Sequence, residues 1–353
     1  MIMPHLRHAA NFLAAALCIA LLAPLRAYAS ISVLVEEPFG SFGAFNPTGH
    51  AAVYLDNICA DSPTRLRLCH TGELGVVISR YHRVDGYDWV AIPLIPYLYA
   101  VDDIADVPQT ATISLEKELR DRYRRAHLLN LAPSKEDGSA PGGEWIQLIG
   151  SSYDRRIYGF QLETTPEQDA GIIARLNDSH NRSKFNLLYR NCADFARSIL
   201  RSTFPGSIPR NAMSDFWLTT PKHLARVVTK FGTKNPELRF QAFQIPQVPG
   251  TIPRSRRVDG VAESVVRSKK YIVPLAFFSP TTAISLMAAY VGTGRFKMPK
   301  DAPVMTQLQL PPQPAGIVIA DDRIQLPLTP APFVEAKMCS TVIPLLETEG
   351  GGN

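Results

Sequence analysis

The sequence predicts an α+β fold: an antiparallel sheet packed on helices, then a helical extension and a mobile Pro/Gly-rich tail. Three observations predict it. After residue 30, short runs of alternating β-branched and aromatic residues are broken by turn residues, as in a meander of strands. From Thr165 the apolar period lengthens to that of a helix. Past residue 235 the periodicity fades, and the chain ends in Pro- and then Gly-rich sequence.

The first 29 residues stand apart. MIMPHLRHAANF is a weakly basic start, LAAALCIALLAPL an apolar core and AYA (Ala27 to Ala29) a small-residue cleavage site. This is the anatomy of a signal peptide, and the apolar run is short for a membrane span. Leu17 stands where a lipidated Cys18 would need a small residue, so Cys18 is expected to leave with the leader. The expected divisions are 1–29 signal peptide, 30–235 catalytic domain, 236–300 extension and 301–353 tail. The expected location is the periplasm or the medium, with membrane association open.

ISVLVEE reads as a strand, FGSFGAFNPTG as a Gly-rich loop, and HAAVYLD as a second strand opened by His50. TRLRLC, LGVVISRY and YDWVAIPL continue as strands. ISLEKELRDRYRRAHLL is an exposed helix, and EWIQLIG and RRIYGFQLETT return to strand. TPEQDAGIIARLNDSH starts on a Thr165 cap with Pro166 at the first helical position. In the next helix Cys192, Phe195, Ala196, Ile199 and Leu200 share one face, with Asn191 as the cap. TTPKHLARVVTKF is a further helix. The uncharged stretch 271–294 splits at Ser279-Pro280 into a strand-like piece and a short helix, which favours a buried or surface-docked helix over a span and leaves peripheral membrane contact open.

Composition narrows the function. A net charge of +5 and basic clusters without interleaved aromatics exclude a nucleic-acid surface. The histidines are scattered, with no HExxH and no CxxC, so no metal is expected. GTGRF lacks the lysine and hydroxyl of a phosphate loop, and FGSFGAF lacks the strand and helix that frame a dinucleotide loop, so no cofactor is expected either.

Cys59, Cys69, Cys192 and Cys339 follow the leader, and cysteines of an exported chain pair unless they have another task. Cys59 and Cys69 bracket a short turn-rich insert and suit a local disulfide. Cys192 is then either free or paired with Cys339. A thiol at a helix start faces free N–H groups that favour thiolate and that can hold an oxyanion. With His50 as proton acceptor, the two residues make the minimal pair for thiol acyl transfer.

GHAAVYLD, then several strands, then FNLLYRNCADFARSIL resembles the circularly permuted branch of the NlpC-type, papain-like thiol hydrolases, over roughly residues 31 to 205. In that branch, which includes lecithin–retinol acyltransferase and bacterial envelope proteins, a GHA-type strand opens the domain and an NC-type helix closes it. The resemblance implies a permuted papain-like fold with Cys192 as nucleophile and His50 as base. It also implies a third polar residue on a neighbouring strand, for which His82, His70 and Glu73 are the candidates. The implied activity is hydrolysis or transfer of an amide- or ester-linked acyl group in the cell envelope, on a peptidoglycan peptide, lipid or lipoprotein. The alternatives are a catalytically silent binding protein on the same fold, or a membrane-anchored structural protein held by 271–294.

Overall fold

The computed structural model describes residues 29–40, 47–82, 84–182, 185–186, 188–210 and 215–305. The leader up to residue 28 and the tail beyond 305, with Cys18 and Cys339, lie outside the described residues.

The described chain runs through β1 (Ala29–Glu36), β2 (His50–Leu55), β3 (Ile58–Ser62), β4 (Arg65–Leu68), β5 (Val76–Ser79) and β6 (Val90–Pro93). Next come α1 (Leu94–Tyr99), α2 (Ile113–His127), α3 (Ser151–Asp154), β7 (Ile157–Thr164) and α4 (Pro166–Asn177). The last elements are α5 (Cys192–Thr203), α6 (Pro221–Lys234), β8 (Gln241–Ile245), α7 (Val261–Arg267), α8 (Lys269–Phe278) and α9 (Pro280–Ala289). Six strands form one antiparallel sheet in the order β6-β5-β2-β1-β7-β8, while β3 and β4 make a separate hairpin.

Helices cover both faces of this sheet, so its central strands are buried on both sides. Ile31, Val33 and Val35 of β1 pack with Phe195, Ala196, Ile199 and Leu200 of α5 and with Leu224 and Val228 of α6. The opposite parity, Leu34, Ala52 and Tyr54, packs with Tyr97 and Leu98 of α1 and with Leu119 and Tyr123 of α2. Helix starts follow the expected caps. Thr165 and Gln168 form a reciprocal capping box, and the Thr220 side chain accepts from the His223 N–H.

Five segments depart from the sequence expectation. The helix Ile113–His127, expected to be exposed, buries Glu116, Leu119, Arg120, Tyr123 and Arg124. Only Val90–Pro93 of YDWVAIPL is a strand; Leu94–Tyr99 is a helix buried on all sides, an environment in which apolar runs do not reveal their period. EWIQLIG contains a 3-10 turn, Glu144–Leu148, whose Trp145 and Leu148 are buried three residues apart. β8 lies past residue 235 and pairs with β7, so the sheet continues into the expected extension. YIVPLAFF is helical despite its β-branched residues and Pro274; it pairs with no strand, and a helix satisfies its backbone groups internally. Among the described residues no helix is long and apolar enough to cross a membrane.

Candidate active site

His50 opens β2 directly after a tight turn. Gly49 has φ +72°, and a Cβ there would lie 2.1 Å from the Glu36 carbonyl oxygen, so the turn requires glycine. Beyond it, Glu36 of β1 and His50 of β2 are partners in the strand register. Cys192 begins α5, whose cap is Asn191, the side chain accepting the Asp194 N–H at 2.8 Å. Phe195, Ala196, Ile199 and Leu200 anchor this helix on the sheet and so fix where its first residue sits. The Ala51, Cys192 and Ala193 backbone N–H groups all interact with the sulfur. The thiol is therefore seated against the residue that follows His50.

The imidazole is held by two groups. Its Nε2 lies 2.8 Å from Ser79 Oγ, and the Tyr81 ring stacks on it at 4.9 Å between centroids. Ser79 Oγ is likewise 2.8 Å from the Ala51 carbonyl oxygen, which can only accept. The single hydroxyl proton is thereby spent on Ala51, and His50 Nε2 must donate to Ser79. That assigns the proton of neutral His50 to Nε2 and leaves Nδ1 as the base.

Behind the histidine lies a buried polar network. Glu36 pairs with Arg155 at 3.0 Å and accepts from the Tyr97 hydroxyl, and both charged side chains are shielded from solvent. Arg155 also lies over the Phe39 ring at 4.4 Å. Burial, aided by the Arg155 cation, lowers the His50 pKa to about 3. Burial raises the Cys192 pKa to about 11; the backbone N–H groups pull it down and Glu36 adds to the rise. This reverses the sequence expectation of a thiolate-favouring helix start. The helix amides act in the expected direction, but desolvation of the charged sulfur outweighs them. The resting site holds a thiol and a neutral imidazole, both half-buried.

The three third-residue candidates lie elsewhere. His82 is set beside Glu144, with its backbone N–H donating to that carboxylate at 2.7 Å and its ring near Phe185. Glu73 takes a bidentate pair from Arg67 at 2.6 Å and accepts the His70 N–H, all three on the exposed side of the β3–β4 hairpin. Arg67 holds the Glu73 carboxyl down at about 2. Ser79, on the strand next to His50, occupies the place expected of them. The sequence signal for it was one small polar residue in an otherwise apolar strand.

Cys59 and Cys69 form a disulfide, and among the described residues Cys192 is a free thiol. The described His, Cys, Asp and Glu residues converge in one place with metal-ligand spacing, Cys59, Cys69 and Glu73, where the disulfide occupies both sulfurs.

No family model and no curated protein matches this chain. Among solved structures, the crystal structure of the type VI secretion system effector TseH aligns with 58% of this chain and 88% of its own, at 14% identity and a TM-score of 0.27. At that score the likeness carries no functional argument.

Proposed function

We propose that this chain is an exported cysteine-dependent hydrolase or acyltransferase of the permuted NlpC-type, papain-like group. One observation carries the reading: a free helix-start thiol seated against the residue that follows His50, whose imidazole is held by Ser79 with Nδ1 left unprotonated. The Cys59–Cys69 disulfide supports export into an oxidising compartment.

In the proposed reaction a substrate carbonyl docks beside Cys192. His50 Nδ1 takes the thiol proton as sulfur attacks the carbonyl carbon. The oxyanion is held by N–H groups at the start of α5. Collapse expels an amine or alcohol, which receives the proton from His50 and leaves a thioester on Cys192. Water or a second nucleophile, deprotonated by His50, then releases the acyl group. The substrate class proposed is an amide- or ester-linked acyl group of an envelope peptide, lipid or lipoprotein.

Intact-mass analysis after exposure of the full chain to an aryl ester tests this. One acyl adduct is expected on the wild type, none on Cys192→Ala, and strongly slowed labelling on His50→Ala. Equal labelling of wild type and Cys192→Ala would overturn it. A folded wild type that forms no adduct with ester, peptidoglycan or phospholipid would favour the second reading, a binding protein using the same cleft. That reading draws on the neutral state of the half-buried pair.

A further inference from the structure

We propose that α8 and α9 form a hairpin that inserts into one leaflet of a membrane containing anionic phospholipid. The inference stands apart from the Cys192–His50 reading. No Asp, Glu, Lys or Arg occurs from Tyr271 to Gly294. A helical pair of this composition ordinarily buries its apolar side chains, yet Ala283 is the one residue of α8 and α9 that is fully buried. Phe277 and Phe278, next to the connection between the helices, are each 80% exposed, and Val273 and Ile284 are 62% and 68% exposed. A contiguous apolar surface of this kind marks an interaction site.

The ends of the hairpin have the opposite character. Arg267, Lys269 and Lys270 precede it, and Arg295, Lys297 and Lys300 follow it. Tyr271 and Tyr290 stand at the two chain ends of the uncharged stretch, each with a cation 5.8 Å from its ring centroid, Lys270 and Arg295 respectively. A groove of about 1510 Å³ opens at this base, with Arg254, Arg267, Arg295, Lys297 and Lys300 in its lining, beside Glu37, Asp301 and the Arg257–Glu263 pair. Apolar tip, tyrosines at the boundary and cations at the base are the order that a leaflet presents in reverse: acyl chains, interface, anionic headgroups.

Dimensions fit one leaflet. Ten residues of helix rise roughly 15 Å, about half of a hydrocarbon core of roughly 30 Å. The base is fixed to the domain, because Tyr290 donates to Glu263, which is buried and paired with Lys222 of α6. Charge complementarity favours an anionic bilayer over a second copy of this chain, whose hairpin would bring the same cations face to face.

The test is co-sedimentation of the full chain with vesicles of phosphatidylcholine alone and of phosphatidylcholine mixed with phosphatidylglycerol. Binding is expected to the mixed vesicles and to weaken with salt. Phe277→Asp/Phe278→Asp, at exposed positions that leave the fold intact, is expected to weaken it at least tenfold per phenylalanine. Lys269→Glu/Lys270→Glu is expected to remove the preference for phosphatidylglycerol. Cys192→Ala is expected to bind like the wild type, which separates this proposal from the catalytic one. Absence of vesicle binding, or equal binding by the Phe277→Asp/Phe278→Asp variant, would overturn it. So would a dimer in sedimentation velocity that this variant abolishes, if the wild type ignores vesicles.

Discussion

Replacing Ser79 by alanine tests the histidine geometry without touching either member of the proposed pair. The hydroxyl makes two contacts of 2.8 Å, accepting from His50 Nε2 and donating to the Ala51 carbonyl. Each such bond contributes about 0.5–1.5 kcal/mol net, and a buried polar group left unpaired costs about 1–3 kcal/mol. Ser79 is 1% exposed, so water does not readily replace it. Folding stability is therefore expected to fall by about 2 kcal/mol in urea titrations. With Nε2 no longer engaged, the ring loses what fixes its tautomer and its orientation. A rise of about 1–2 kcal/mol in the acylation barrier corresponds to a rate roughly 5- to 30-fold slower.

Two measurements separate positioning from mere destabilisation. Single-turnover acylation of Cys192 by an aryl ester, followed by intact mass well below the unfolding midpoint, should show the slower rate with little change in half-saturation. Nitrogen NMR of histidine-labelled protein should show wild-type His50 protonated on Nε2 and the variant with mixed tautomers. A wild-type ring protonated on Nδ1 would refute the reasoning outright. An acylation rate unchanged in Ser79→Ala would refute the positioning role.

Three further outcomes are expected. Gly49→Ala forces an L residue to φ +72° with its Cβ 2.1 Å from the Glu36 carbonyl oxygen, so it should cost well over the ~1–2 kcal/mol of a left-handed residue alone, measured by urea denaturation. The Cys59–Cys69 bridge closes a loop of separation 10; Cys59→Ser/Cys69→Ser should lose about 2.5 kcal/mol of stability and keep Cys192 labelling, since β3 and β4 lie outside the main sheet. His50, at about 3 when folded and 6.5 unfolded, binds its proton more readily in the unfolded chain. Stability should therefore fall as pH drops from 6.5 towards 3, by up to about 1.4 kcal/mol per pH unit, and His50→Gln should flatten that slope in urea titrations across the window.

What could be read in the sequence was whatever depends on neighbours along the chain. The Asn191 cap, the Thr165–Gln168 box, the strand beginning at His50 and the Cys59–Cys69 pairing are local patterns. Ser79 was missed because its role depends on which strand lies beside β2 and in what register, and one sequence does not encode that visibly. Glu36 drew no reading beyond its place in the strand ISVLVEE. Its partners Arg155 and Tyr97 come from after α3 and from α1, an element hidden by its own uniform hydrophobicity. The thiol pKa went the other way for the same reason: the helix start is a local property, whereas burial belongs to the assembled core.

The Glu36–Arg155 pair also constrains how the proposed pair could work. Burial opposes charge on both members; Arg155 adds to this at His50, and Glu36 adds a smaller share at Cys192. A preformed thiolate–imidazolium pair is thus the unstable arrangement at rest, and neutral thiol with neutral imidazole is the stable one. Proton transfer and sulfur attack must then be coupled to a docked carbonyl, whose developing oxyanion supplies the charge balance at the N–H groups of α5. Small alkylating agents supply no such oxyanion. Iodoacetamide labelling of Cys192 should consequently be slow at neutral pH and climb towards the thiol pKa near 11, within the limits of the fold's alkaline stability, instead of levelling off in the acid range. A plateau reached below neutrality would mean that the ion pair forms without substrate, and that burial, with Glu36 and Arg155, does not hold the site neutral.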